Sequence, residues 1–415
     1  MRIGATGALA LAAASTGVII PVLKPLIEES GYGPIAAGVF VAAHVTGGAV
    51  GAALGAPALR RAGSARSLAA IALAASIVVT LAMAAIPSLE IRIGLRLLDG
   101  GCHLLAITAL FAAATAGDAT ARARRAVMMG LAIVLGVAAG LGIGAALGHP
   151  AAARMLAALG HPEAALVAAA LLSAAALVTV VAQVPHEPLP AEAPGRAPGR
   201  PPIGPVLLAF GERFIFGALS IAMPYLAAPP RVGLVLGVFM TASVIALPIA
   251  RRYALVWGPR RLAVRSTLAF ALTLGAAGAV DVLASAGTAL LWAVACGASA
   301  GALYASALVL AARSVALDER MRDMGAVHAA GSAGHAIGAL TAGLLVAVLP
   351  GMLVVALPGV AIIVAATLGV WITVPAAARD CPVIGGLAAI AGDGEPNQPA
   401  TDRGRSSLED SRLRG

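Results

Sequence analysis

The chain has 415 residues, of which 60% are hydrophobic and only 11% charged, with 3% aromatic and a formal charge of +9. A water-soluble protein of this size carries roughly 25% charged residues, so this composition excludes a soluble enzyme, a secreted disulfide scaffold and a single-pass receptor. It describes an all-α polytopic membrane protein, since a spanning helix needs about 20 apolar residues and the apolar content supplies roughly twelve of them.

The start, MRIGATGALALAAAS, resembles a signal peptide, but the apolar run continues through GVIIPVL to Lys24 and reads as an uncleaved first helix. Apolar runs broken by Arg, Pro and Gly place six spans in the first half, at 4–26, 34–58, 67–87, 91–116, 126–148 and 163–183. Six more follow at 204–228, 232–250, 262–284, 288–312, 324–348 and 352–374. Between them lies PHEPLPAEAPGRAPGRPPIG, a Pro-rich stretch that cannot span a bilayer and has the composition of a linker. The domain reading is a six-helix bundle over 1–184, a linker over 185–203, a second bundle over 204–375 and a tail over 376–415 too polar to fold. Sixteen arginines lie in the loops after the even-numbered spans, against at most four basic residues on the other side, Lys24, Arg92, Arg154 and Arg231. Basic residues are retained in the cytoplasm, so both termini are expected there. The three cysteines, Cys102, Cys296 and Cys381, have no metal-ligand spacing. The expected partners are protons, a small organic solute and the lipid bilayer, with no nucleic acid, no metal and no cofactor, and the chain is expected to act as a monomer.

A six-plus-six plan with a long central loop indicates a transporter made of two repeats. After span 2 comes GAPALRRAGSARS, and after span 8 comes PIARRYALVWGPRRLAVRS, each an Arg pair followed by a Gly and further Arg. This pattern resembles the signature loop of the major facilitator superfamily, on Arg61 and Gly63. Arg60 stands where the family has an acidic residue, so the charge relay attributed to that acid does not carry over. In span 4, Arg96, Asp99 and Gly100 resemble the family's Arg-x-x-Gln-Gly element, with Asp99 replacing Gln. The resemblance implies a twelve-helix secondary transporter of the bacterial inner membrane, nearest to the proton-driven drug and metabolite antiporters, hence efflux. Proton-coupled uptake of a metabolite or organic anion is the alternative, with Arg92 and Arg96 available to attract a carboxylate. A polytopic membrane enzyme is a third reading, for which the sequence shows no nucleophile and base set. The arginine cluster Arg60, Arg61 and its neighbours reads either as a topology signal or as a gating element.

Glycines recur every four residues at Gly136, Gly140, Gly144 and Gly148 in span 5, and at Gly47, Gly51 and Gly55 in span 2; Gly334 and Gly338 repeat this in span 11. Such stripes allow close helix approach, either as static packing or as smooth faces on which the halves rock. The family's antiporters have a Gly-rich motif in span 5, whose Pro would fall on Leu141 or Val137.

Ionisable side chains inside the membrane are costly and mark function. Arg92, Arg96, Asp99 and His103 share one face of span 4, which reads as cavity-lining, or else as two arginines reaching the outer interface with Asp99 neutralising Arg96. Glu212 and Arg213 in span 7 are adjacent and diverge by about 100°, so each is expected to have its partner on another helix. Glu212 is the first choice for a proton-carrying carboxylate, because taking up a proton relieves the cost of burying its charge; a fixed ion pair is the other reading. His44, His103 and His335 lie at similar depth and read as proton-coupling groups or as hydrogen-bonded packing. In the family, spans 1, 4, 7 and 10 line the cavity, which adds Tyr304 and Ser306 in span 10 and Ser15 and Thr16 in span 1.

Overall fold

In a computed structural model the structure describes residues 3–114, 119–149, 163–186, 203–279, 282–311 and 317–373. Thirteen helices account for nearly all of it: α1 (Ile3–Ile19), α2 (Leu23–Glu28), α3 (Pro34–Ala62), α4 (Ala65–Ala85), α5 (Leu89–Ala114), α6 (Ala119–Leu147) and α7 (Glu163–Gln183), then α8 (Ile203–Leu226), α9 (Pro229–Trp257), α10 (Pro259–Ala279), α11 (Ala286–Ala311), α12 (Leu317–Leu345) and α13 (Leu353–Thr373). Pro21 lacks a donor, and a 3₁₀ turn at Ile20–Val22 separates α1 from α2 within span 1. Spans 2 to 12 are then α3 to α13 in order.

Eleven of the twelve expected spans are long and apolar enough to cross a bilayer; α12 is the exception. Its membrane stretch, GAVHAAGSAGHAIGAL, is dominated by Gly, Ala and Ser and holds two histidines, which dilute its hydropathy. A helix need not be greasy where protein surrounds it, and α12 packs between α8 and α3.

Helix contacts repeat with a shift of six spans. In the first half α1 packs on α6 and α7, α5 on α3 and α4, and α4 on α7. In the second half α8 packs on α12 and α13, α11 on α9 and α10, and α10 on α13. The glycine stripes explain four of these pairs. A Cβ on Gly136, Gly140 or Gly144 would strike the carbonyl of Ala10, Ala14 or Val18 on α1. On Gly47 or Gly51 it would strike Leu97 or Gly101 on α5. In the second half Gly334 and Gly338 press on Phe210 and Phe214 of α8, and Gly297 and Gly301 on Phe239 and Ser243 of α9. The span 5 stripe therefore packs inside its own half, and only Gly148, at its end, meets the other half, at Pro229. The reading of that stripe as a sliding face between halves is corrected accordingly.

The halves join through α3 with α12 and α6 with α9. Here too glycines set the approach: Gly38 against Ala339, Gly343 against Pro34, and Gly233 against Leu141 and Ala145. These contacts lie at the ends of the helices remote from the arginine-rich loops. The largest apolar core is shared by both halves at that remote end, where Leu23, Leu26, Ile27 and Phe40 pack with Ile215, Leu219, Met223 and Leu236. Toward the arginine-rich loops the cores separate. One belongs to the first half, with Leu59, Leu68, Leu110 and Val180; another to the second, with Leu247, Leu262 and Ala305.

The loops after spans 2 and 8 each turn on a glycine of positive φ. Gly63 ends α3 in the left-handed region at φ 71°, its N–H donating to Leu59 O, and Ser64 then caps α4 by accepting from Ser67 N–H. Gly258 occupies the same place between α9 and α10, at φ 81°. Side chains other than glycine are strained there.

Candidate functional site

The polar face of span 4 is buried, with Arg92, Arg96, Asp99 and His103 each exposing 5% or less. A Cβ at Gly100 would strike His44 O, so α3 and α5 touch backbone to backbone there, bringing His44 against Asp99. Asp99 Oδ2 accepts from Arg96 Nη1 at 2.6 Å and lies 3.3 Å from His44 Nδ1. Its other oxygen accepts from Ser76 Oγ at 2.6 Å and Thr80 Oγ1 at 3.3 Å, both on α4. The Arg96 guanidinium lies 5.5 Å from the centre of the Phe40 ring. His44 and His103 stand with ring centres 5.5 Å apart, and His103 Nε2 is 3.2 Å from Thr16 Oγ1 on α1. A continuous polar network thus runs across spans 1, 2, 3 and 4, made of one carboxylate, one guanidinium, two imidazoles and three hydroxyls.

The two ends of this face point in different directions, His103 toward Thr16 on span 1 and Asp99 toward spans 2 and 3. Asp99 turns toward α3 and α4, into the bundle. Arg92 is also committed elsewhere: its Nε donates to Ile86 O at 2.6 Å, and its Nη2 pairs with Glu163 at 2.8 Å, tying the start of α5 to that of α7. Arg92 and Arg96 each hold a carboxylate of this chain, so neither offers a vacant cation to a substrate.

In the second half, Arg213 Nε lies 3.2 Å from Glu212 Oε2. The expectation that adjacent side chains could not neutralise each other fails because the long arginine folds back across the arc between them. The guanidinium also sits 5.4 Å from the centre of the Tyr304 ring on α11, linking spans 7 and 10. Glu212 and Arg213 expose 12% and 23% of their side chains, which makes them the more accessible ion pair. His335 on α12 meets Phe216 edge to face at 5.4 Å, and Gly217, where a Cβ would strike His335 O, permits that approach. His328, two turns away, packs on Phe111 at 5.9 Å. No group of three His, Cys, Asp or Glu among the described residues is placed to hold a metal.

Sequence reasoning missed Ser76 and Thr80. Their signal was present, as two hydroxyls at i and i+4 in an otherwise apolar span 3. Ser15 and Ser306 satisfy themselves on carbonyls of their own helices, Ala12 O and Ala302 O. Arg61 is exposed in the last turn of α3, and the side chain of Arg60 lies outside the described residues, as does the tail.

Residues 203–390 match the model of the Major Facilitator Superfamily. No curated protein matches the chain in sequence. Among solved structures the chain resembles a D-xylose-proton symporter with a TM-score of 0.72, at 16% identity over 90% of this chain and 97% of that one. It resembles the nucleoside transporter NupG, in a D323A mutant, with 0.66 at 13% identity over 90% and 100%. The human organic anion transporter MFSD10 gives 0.63 at 15% identity over 89% and 98%. The fold is that of the major facilitator transporters, and the family model and these neighbours are transporters, not enzymes.

Proposed function

We propose that the protein is a secondary transporter that moves a small organic solute across the bacterial inner membrane by alternating access, coupled to protons. Its arginine-rich loops and both termini lie in the cytoplasm on this reading. One observation carries it. Each half of the bundle holds a buried set of titratable side chains, Asp99 with His44 and His103 in one and Glu212 with Arg213 in the other. Buried titratable groups in a two-lobed bundle with a shared core at one end are what proton coupling requires, since a proton drives transport only where its affinity differs between conformations.

Among the described residues, the three most deeply set arginines of spans 4 and 7 are each paired, Arg92 with Glu163, Arg96 with Asp99 and Arg213 with Glu212. With the span 4 and span 7 arginines already holding carboxylates of this chain, a neutral solute suits the site better than an organic anion. We read the direction as export, in keeping with the glycine-rich span 5. Proton-linked uptake is the second reading, favoured by the likeness to a D-xylose-proton symporter.

Glu212, in the more accessible pair, is the first proton carrier to test. In proteoliposomes holding a pH-sensitive dye, a panel of neutral solutes is screened for solute-dependent proton movement. Glu212→Gln mimics the protonated carboxyl and is expected to abolish gradient-driven flux while leaving solute exchange intact. Undiminished gradient-driven flux would move the proton site to Asp99, His103, His44 or His335.

A further inference from the structure

A crevice of about 1000 Å³ opens between the halves where α6 and α9 diverge, with α11 as its far wall. Its lining is almost wholly apolar and small-sided. Gly142 on α6 and Gly237 on α9 both border it, and a Cβ built on either meets nothing within 4 Å. Along α9 it is bordered by Thr241, Ile245, Ile249 and Tyr253, a single stripe at every fourth residue whose members are all exposed. Thr241 to Tyr253 covers about 18 Å at 1.5 Å per residue, roughly one leaflet of a hydrocarbon core about 30 Å thick. The stripe ends in an interfacial cluster. The rings of Tyr253 and Trp257 lie 4.5 Å apart, tilted by 31°, Arg265 lies 4.2 Å from the centre of the Trp257 ring, and Arg252 is exposed beside Tyr253. Paired aromatics mark the depth of the headgroups, and exposed arginines there attract anionic lipid.

We propose that this crevice is a binding site for an anionic phospholipid of the arginine-side leaflet. One acyl chain lies along Thr241, Ile245 and Ile249 between α6 and α9, and the phosphate sits at Arg252. The occupant is a diacyl lipid and not a soluble anion, because the cation stands at the mouth of a leaflet-deep apolar groove. The site is also specific to one conformation. It exists because α6 and α9 touch at Gly148, Gly233 and Pro229 and spread apart toward the arginine-rich end, so closing that end would expel the chain. The lipid therefore favours the conformation described here, by its differential affinity for the two states. The proposal concerns lipid binding, and it stands whichever solute is carried.

The test uses the full-length protein in neutral detergent, titrated with dioleoyl phosphatidylglycerol, dioleoyl phosphatidylcholine or inorganic phosphate, with thermal unfolding and native mass spectrometry as readouts. Phosphatidylglycerol is expected to bind and to raise the unfolding temperature, with phosphatidylcholine weaker and phosphate without effect. Arg252→Gln should weaken phosphatidylglycerol binding about fivefold, the loss of one interfacial cation. Gly237→Leu and Gly142→Leu, at positions that border the crevice and where an added Cβ meets nothing within 4 Å, should leave a folded protein and abolish the lipid-induced shift. Equal shifts with both lipids, an undiminished shift in the two leucine variants, or full reproduction by phosphate would each overturn the proposal.

Discussion

Replacing Asp99 should damage the protein more than replacing Arg96, and replacing both should damage it less than the two single losses added together. Asp99 receives four contacts, from Arg96 and Ser76 at 2.6 Å and from Thr80 and His44 at 3.3 Å. Arg96→Met leaves the carboxylate with three of them. Asp99→Asn leaves a guanidinium 5% exposed, with its Nε already lacking a partner and the Phe40 ring as its nearest compensation. Breaking a buried ion pair from one side costs about 3–5 kcal/mol, and Asp99→Asn should fall at the upper end of that range. Arg96→Met should fall near the lower end. The double variant removes both charges and should recover about 2–3 kcal/mol of the summed loss, since replacing a whole buried pair is often near neutral. Unfolding of the purified variants in one detergent, followed by fluorescence, measures all three. Strict additivity of the two single changes would refute the argument, because independent sites do not compensate.

Reporters fused after spans 2, 4, 6, 8 and 10 should all lie on one side of the membrane, and a C-terminal reporter on that same side; a C-terminal reporter on the opposite side would end the twelve-span topology. Gly140→Leu should be lost from the membrane while Gly142→Leu is retained, because a Cβ at Gly140 strikes Ala14 O on α1 and one at Gly142 meets open space; equal expression of the two would contradict the packing of α6 on α1. Ser76→Ala should cost about 1–3 kcal/mol by withdrawing a donor from a buried carboxylate, whereas Thr179→Ala, on an exposed hydroxyl bonded within its own helix, should cost little; comparable unfolding temperatures would exclude Ser76 from the network. The exposed phenol of Tyr32 donates to Glu90 and is raised above its usual value of 10.0, chiefly by that hydrogen bond and then by the carboxylate's charge. Its neutral form is the one the fold favours, so the contact persists below pH 10 and is lost as pH rises through the raised value. Ultraviolet titration should show Tyr32 ionising later than it does in Glu90→Gln, and coincident curves would remove the contact.

Much of the fold was legible because its determinants are local. Runs of about 20 apolar residues, the Pro-rich break near residue 190 and the arginines of alternate loops are all properties of short windows. The glycine stripes were legible as close contacts, but not their partners. Gly136 through Gly144 could have faced any neighbour, and only the assembled bundle shows that α1 takes that face. The site divides in the same way. Arg96, Asp99 and His103 share a face by helical periodicity, and the i, i+3 ion pair could be read directly. That the face turns toward α4 depends on Ser76 and Thr80, two small hydroxyls whose importance appears once a carboxylate is set against them. The Glu212 pair was misjudged because backbone angles were used where side-chain reach decided the matter.

The glycine contacts within each half carry a mechanical consequence. Where α6 rests on α1 through three successive carbonyls, or α3 on α5 through two, helices cannot slide past one another without lifting over whole turns of about 5.4 Å. Each half is therefore a stiff lever. The contacts between halves are fewer and lie toward one end, at Gly38, Gly343, Gly148 and Gly233, where the arm is shortest. A tilt of a few degrees about that fulcrum would leave the glycines almost in place. At the far ends of 29-residue helices such as α3 and α9, about 43 Å long at 1.5 Å per residue, the same tilt becomes a displacement of several ångströms, roughly the width of a small solute.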